Sequence, residues 1–92
     1  MNQVKKELPR LFDQGAIVVD VRTPAEFAMG SSPNSINIPL DQLEKRYKEL
    51  DPKKPIVLCC ASGARSGAAA SFLKENGYEQ VFNAGPWSNT MG

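Results

Sequence analysis

The sequence predicts an α/β domain: a compact, mostly parallel sheet of four or five strands flanked by helices. Three observations carry this. Short β-branched runs alternate along the chain with segments of helical periodicity, the order expected of successive strand–helix units with right-handed crossovers. The run Ala16-Ile17-Val18-Val19-Asp20-Val21 lacks the polar alternation of a half-exposed strand, as a strand covered on both faces of a parallel sheet requires. Breakers or capping residues stand at the junctions between these segments. With 41% hydrophobic and 23% charged residues in 92, the composition is that of an ordered globular protein, expected as a single domain over residues 1–92.

Each element has its own justification. Val4, Leu8, Leu11 and Phe12 recur at helical spacing, predicting an amphipathic helix over 3–13 that Gly15 ends. The first strand follows over 16–21. Thr23-Pro24-Ala25-Glu26 opens the next helix with two coincident signals: Thr and Glu form a capping box, and Pro takes the first helical position. Pro33-Asn34 suits the centre of a turn in the loop from Gly30 to Ser35. Ile36-Asn37-Ile38 predicts a second, short strand stopped by Pro39. Leu40, Leu43, Tyr47 and Leu50 share one face of a helix over 41–50, with Glu44 and Lys48 paired four apart on the outside. After the break at Asp51–Pro55, Ile56-Val57-Leu58-Cys59 reads as the third strand, with Cys60 at its carboxyl end. A helix over 66–76 presents Ala68, Ala69 and Ala70 to the sheet, and Gly77 ends it. Gln80-Val81-Phe82 is a fourth strand, and Asn83 to Gly92 reads as a tail of turn formers.

Charge and composition remove whole classes of function. Eleven basic against ten acidic residues leave a net charge of +1, so neither nucleic acid nor an anionic membrane surface is expected as partner. Apolar runs such as Ala16–Val19 and Ile56–Cys60 fall far short of the ~20 residues of a membrane-spanning helix. With no histidine in the chain, Ser-His-Asp and Cys-His catalysis and every imidazole zinc site are excluded. The two cysteines are adjacent, so they neither staple a loop nor supply a metal, and no metal or other cofactor is expected. Free thiols and an amino terminus without an apolar signal core favour the cytoplasm. A periplasmic chain already relieved of its signal would read the same way.

The chemistry concentrates in Cys60-Ala61-Ser62-Gly63-Ala64-Arg65-Ser66, which joins a buried strand to a helix. Small residues let this backbone curl with its N–H groups inward. Such a nest, backed by a helix N-terminus, favours an anion and lowers the pKa of a thiol at its centre. Arg65 adds a fixed charge with a planar fork of donors. In open parallel sheets, reactive groups sit beyond the carboxyl ends of the strands, which is where Cys60 stands.

The segments Asp20-Val21-Arg22-Thr23-Pro24-Ala25-Glu26-Phe27, Ser35-Ile36-Asn37-Ile38-Pro39-Leu40 and Cys60–Ser66, followed by Gly77-Tyr78 and Asn83-Ala84-Gly85, resemble the successive signatures of rhodanese-domain sulfurtransferases over about residues 16–87. The short length and the Asn-Ala-Gly ending are most similar to small single-domain rhodaneses of bacteria, the phage-shock type among them. The resemblance implies a rhodanese-like α/β fold. It also implies transfer of sulfane sulfur from a small anionic donor such as thiosulfate, through a cysteine persulfide, to a thiophilic acceptor: cyanide, a thiol, or a protein sulfur acceptor. By position it makes Cys60 the nucleophile and the main-chain amides of Ala61, Ser62, Gly63, Ala64, Arg65 and Ser66 the cradle of the persulfide. Arg65 would bind the donor or shape the loop. Asp20 and Arg22 match the family's Asp-x-Arg. Asp20 is read as satisfying buried backbone donors and Arg22 as a candidate substrate contact, while Trp87 either walls the pocket or closes the core.

Departures from the pattern are also legible. Gly30-Ser31-Ser32-Pro33-Asn34-Ser35 stands where the family has Gly-His-Ile-Pro-Gly-Ala, and Pro86 replaces the usual second Gly after Gly85. The strand that commonly opens the domain is not visible before the first helix. Two rival functions follow from the same residues. A non-catalytic module would bind a partner or carry persulfide sulfur. A cysteine-dependent phosphatase or arsenate reductase would use the larger loop Cys59-x5-Arg65. On an extended strand Cys59 and Cys60 point to opposite faces, so only one can look into the loop.

Overall fold

A computed structural model of the chain describes residues 4–91, so Gln3 of the expected first helix and Gly92 of the tail lie outside them. The order is α1 (Val4–Asp13), β1 (Ile17–Asp20), α2 (Pro24–Ala28), β2 (Ile36–Asn37), α3 (Leu40–Arg46), a 3-10 turn (Tyr47–Glu49), β3 (Ile56–Cys60), α4 (Ala64–Glu75), β4 (Val81–Pro86) and a closing 3-10 turn (Trp87–Thr90). The four strands form one sheet in the order β2-β1-β3-β4. Every neighbouring pair is parallel. Of the four or five strands expected, four form among the described residues. Among the described residues, no helix is long and apolar enough to cross a membrane.

The sheet separates two hydrophobic layers, and β3 shows how. All five of its residues are buried. Ile56, Leu58 and Cys60 face the layer with Leu43 of α3 and Ala69 and Leu73 of α4. Val57 and Cys59 face Leu8 and Leu11 of α1, with Trp87 packed at the margin. Period-2 alternation thus assigns the two cysteines to opposite sides of the sheet.

Several boundaries differ from expectation, each for a local reason. Helix α4 begins at Ala64 instead of Ser66, because Gly63 at φ 105° turns the chain immediately before it. Only a residue without a Cβ takes that conformation freely. At the other end, Gly77 (φ 92°) closes a Schellman motif. The Tyr78 N–H donates to the Leu73 carbonyl at 3.0 Å and the Gly77 N–H to Lys74 at 3.4 Å. Ala69 and Ala70 face the sheet, while Ala68 is exposed, since three consecutive helical residues span too wide an arc to share one face.

The helix expected over 41–50 tightens into the 3-10 turn at Tyr47. That change removes the i,i+4 geometry for Glu44 and Lys48, and the ion pair on this segment is Arg46–Glu49 at 3.0 Å. Strand β4 runs four residues beyond the expected Phe82, to Pro86, so Asn83 belongs to the sheet and not to a tail. Its pairing with β3 is irregular: Leu58 lies opposite Asn83 but Cys59 opposite Gly85. This irregularity brings β4 alongside the reactive end of β3.

Candidate active site

The loop after β3 is short. Cys60 ends the strand, Ala61 and Ser62 are exposed, and Gly63 turns the chain into α4. A side chain at Gly63 would meet the Gly85 Cα at 3.3 Å, so the loop packs directly on β4. The Cys60 side chain is buried. Its sulfur accepts the Gly63 N–H at 2.9 Å and the Ser66 N–H at 3.5 Å. The Ser66 hydroxyl, also buried, lies 3.3 Å from it. Burial pushes the Cys60 thiol up, but the Ser66 hydroxyl and the amides of Ser66, Gly63 and Ser62 more than offset it, leaving the thiol below its ordinary value.

Cys59 is the opposite case. It points to the α1 layer and is fully buried. Burial and the Asp20 carboxylate push its thiol up to about 12. A loop built on Cys59-x5-Arg65 is therefore not assembled: Cys59 faces away from the first turn of α4, which carries Arg65.

Arg65 lies in the first turn of α4, with its fork held by Glu26 of α2. The guanidinium donates to both carboxylate oxygens, at 2.7 and 3.0 Å. The same Glu26 closes the capping box of α2, accepting the Thr23 N–H at 3.0 Å while its own N–H donates to the Thr23 hydroxyl at 3.2 Å. Arg65 and the Thr23 donors hold the Glu26 carboxyl down to about 2. Glu26 is thus a site-shaping residue that its sequence signal marked only as a helix cap. A second face of Arg65, with Thr23, Pro24, Pro39, Leu40 and Gln42, lines an open cavity of about 370 Å³ beyond the carboxyl ends of β1 and β2.

Arg22 is buried and paired. Only 5% exposed, it donates to both oxygens of Asp20 at 2.8–3.0 Å and to the Gly30 carbonyl at 2.7 Å. Its guanidinium carbon stands 4.9 Å from the centre of the Trp87 ring. Arg22 therefore clamps the Gly30 loop and the closing turn to β1, a structural role beside the substrate contact expected of it. Asp20, buried, also accepts the Arg22 N–H at 3.0 Å, as its buried position demands. Trp87 belongs to the α1 layer, the face away from Cys60, and closes the core.

Asn83 is the residue that sequence reasoning left without a role. Its side-chain oxygen accepts the Ser66 hydroxyl at 2.6 Å and the Gly85 N–H at 2.9 Å. Its amide nitrogen donates to the Gly63 carbonyl at 3.2 Å. The signal available was its place in Asn83-Ala84-Gly85, a motif quoted for resemblance and read as a turn.

Comparison with known proteins agrees with this geometry. A family model described as Rhodanese-like domain matches residues 4–84. A protein of Allochromatium vinosum named Sulfurtransferase is 39% identical over 75 residues, covering 80% of this chain and 70% of its own length. Thiosulfate sulfurtransferase GlpE of Pseudomonas syringae is 34% identical over 73 residues, covering 79% of this chain and 69% of its own. A solved structure described as rhodanese with anions from E. coli superposes with a TM-score of 0.75 at 32% identity, covering 80% of this chain and 89% of that one.

Proposed function

The chain belongs to the Rhodanese-like domain family, and from that premise we propose that it transfers sulfane sulfur from a small anionic donor such as thiosulfate through a persulfide on Cys60. Its named relatives support a sulfurtransferase or sulfur-carrier role. The observation that carries the finer reading is the environment of the Cys60 sulfur, which two main-chain N–H groups and a buried hydroxyl surround. Those donors favour a thiolate without histidine.

The thiolate attacks the outer sulfur of thiosulfate, a Cys60 S–S bond forms, the thiosulfate S–S bond breaks, and sulfite leaves with the bonding pair. The terminal persulfide sulfur carries the negative charge, which the curled amides accommodate. Cyanide or a thiolate then takes that sulfur and the Cys60 thiolate is restored. A protein thiol can serve as acceptor in the same step. Arg65, paired with Glu26, holds the loop to α2.

Incubation with thiosulfate is expected to add one sulfur to Cys60, and addition of cyanide to release thiocyanate. Chelators should leave the rate unchanged, since the chain has no histidine and only two cysteines with which to hold a thiophilic metal. Persulfide formation without turnover on any acceptor would make the protein a carrier. Cys60→Ser retaining turnover would overturn the assignment.

A further inference from the structure

The Ser66 hydroxyl has one proton and three acceptors within reach: Asn83 Oδ1 at 2.6 Å, the Gly63 carbonyl at 3.2 Å and the Cys60 sulfur at 3.3 Å. The orientation of the Asn83 amide is not free. The Gly85 N–H can only donate, so the atom it faces at 2.9 Å is oxygen, and the amide nitrogen is left to donate to the Gly63 carbonyl at 3.2 Å. Ser66 therefore donates to Asn83 while Cys60 is a neutral thiol, and the thiol S–H donates to the Ser66 oxygen. A thiolate has no proton to give. It needs the Ser66 hydroxyl turned toward it.

We propose that Asn83 is a positioning residue whose side-chain oxygen competes with the Cys60 sulfur for the single Ser66 proton and so sets how readily the thiolate forms. On ionisation the thiol proton passes to water, the Ser66 O–H rotates from Asn83 to sulfur, and Asn83 keeps the Gly85 N–H. The Asn83 oxygen, the Gly63 carbonyl and the sulfur each keep a donor in both states, and only the Ser66 oxygen gives one up with the thiol proton. The placement depends on the regular register of β4 with β3, which sets Asn83 opposite Leu58, on the α4 side of the sheet, and the irregularity that follows sets Gly85 opposite Cys59.

The other charged groups around Cys60 do not take part in this exchange. Arg65 on α4 is tied to Glu26 of α2. Asp20 and Arg22 on β1 pair with each other, Asp41 of α3 is exposed beside the Arg65 cavity, and Cys59 faces the opposite layer. Strand β4 itself carries no titratable side chain. The proposal rests on the reading of Cys60 as nucleophile only for its biological use, because thiol ionisation is measured without sulfur transfer.

The test follows alkylation of Cys60 by iodoacetamide against pH, read by mass. Asn83→Ala frees the Ser66 proton for sulfur, so at a pH below the wild-type midpoint the rate should rise about fivefold, the worth of one neutral hydrogen bond. Asn83→Asp keeps an acceptor for Gly85 but holds the Ser66 proton harder and adds charge, so the midpoint should move up. In a Ser66→Ala background the effect of Asn83→Ala should vanish. A residue that only braced β4 would change stability and leave the midpoint alone. An unchanged or raised midpoint in Asn83→Ala, or an equal shift without Ser66, overturns the proposal. Should Asn83→Ala not fold, Asn83→Asp decides by the same profile. Failure to form a persulfide would bear on the function of Cys60 and leave this result standing.

Discussion

Cys59 and Cys60 are identical in covalent structure and adjacent in sequence, yet their thiols move in opposite directions, because one faces a closed apolar layer and the other a set of N–H donors. Iodoacetamide near neutral pH should therefore label Cys60 and leave Cys59 unmodified in the folded protein. Cys59→Ser is expected to keep sulfur transfer and lose about 1–3 kcal/mol of stability by placing a hydroxyl in the core, a loss that urea unfolding would show. The same contrast fixes a pH dependence. With its folded value raised to about 12 from 9.0, Cys59 binds its proton more tightly in the native state. Its contribution to stability is complete below about pH 9 and declines as pH climbs toward 12. Replacement by Ala should flatten the alkaline limb of a stability profile, and an identical limb in both proteins would contradict the argument.

The ion pair Arg65–Glu26, whose side chains are 36% and 37% exposed, joins α2 to α4. Such a pair is worth little as free energy, but it holds the first turn of α4 at the mouth of the loop. If Arg65 acts by shaping that turn, Glu26→Gln and Arg65→Ala should each lower kcat/KM by up to about fivefold. The double variant should then be no worse than either single one. Arg65→Lys, with a point charge in place of a fork, should recover part of the loss. A guanidinium whose main task was to grip the donor would instead be freed by Glu26→Gln, and activity would hold or rise. Because the Glu26 carboxyl is held down to about 2 from 4.5, the pair stabilises the fold above pH 4.5 and is lost as pH falls toward 2. Wild type and Glu26→Gln should differ in urea midpoint at neutral pH and converge in acid.

Across the molecule, the parallel sheet separates support from chemistry: the reactive loop stands beyond the carboxyl ends of the strands, and the bracing contacts lie elsewhere. Tyr78 shows the division. Its hydroxyl lies 2.8 Å from both the Tyr47 and Leu50 carbonyls and shares its one proton between them, fastening the exit of α4 to the 3-10 turn after α3, and it is buried. Tyr78→Phe should cost about 1–3 kcal/mol by taking this donor from the Leu50 carbonyl, the Tyr47 carbonyl keeping the Leu50 N–H at 3.0 Å, while the Cys60 alkylation profile stays unchanged. A shift in that profile would mean that the α3–α4 brace reaches the loop.

Local signals were sufficient for most of the frame. The capping box at Thr23–Glu26, the glycine at 77 and the unbroken apolar run of β1 each work within a few neighbouring residues, so they are written in the chain and reappear in the structure. Strand alternation likewise separates Cys59 from Cys60, since consecutive side chains on a strand point to opposite faces. What sequence could not supply is partnership across long intervals. Glu26 and Arg65 are 39 residues apart, and the fork of Arg65 reads as free until the fold sets a carboxylate against it. Arg22 reads as a strand-end cation, but burial between Asp20, Gly30 and Trp87 makes it a clamp. Asn83, in a segment rich in turn formers, becomes a strand residue only because β3 offers a ladder, and its register opposite Leu58 puts its amide on the side of Ser66. Propensity is a property of neighbours in sequence, whereas the proton on Ser66 answers to three acceptors that only the closed sheet assembles.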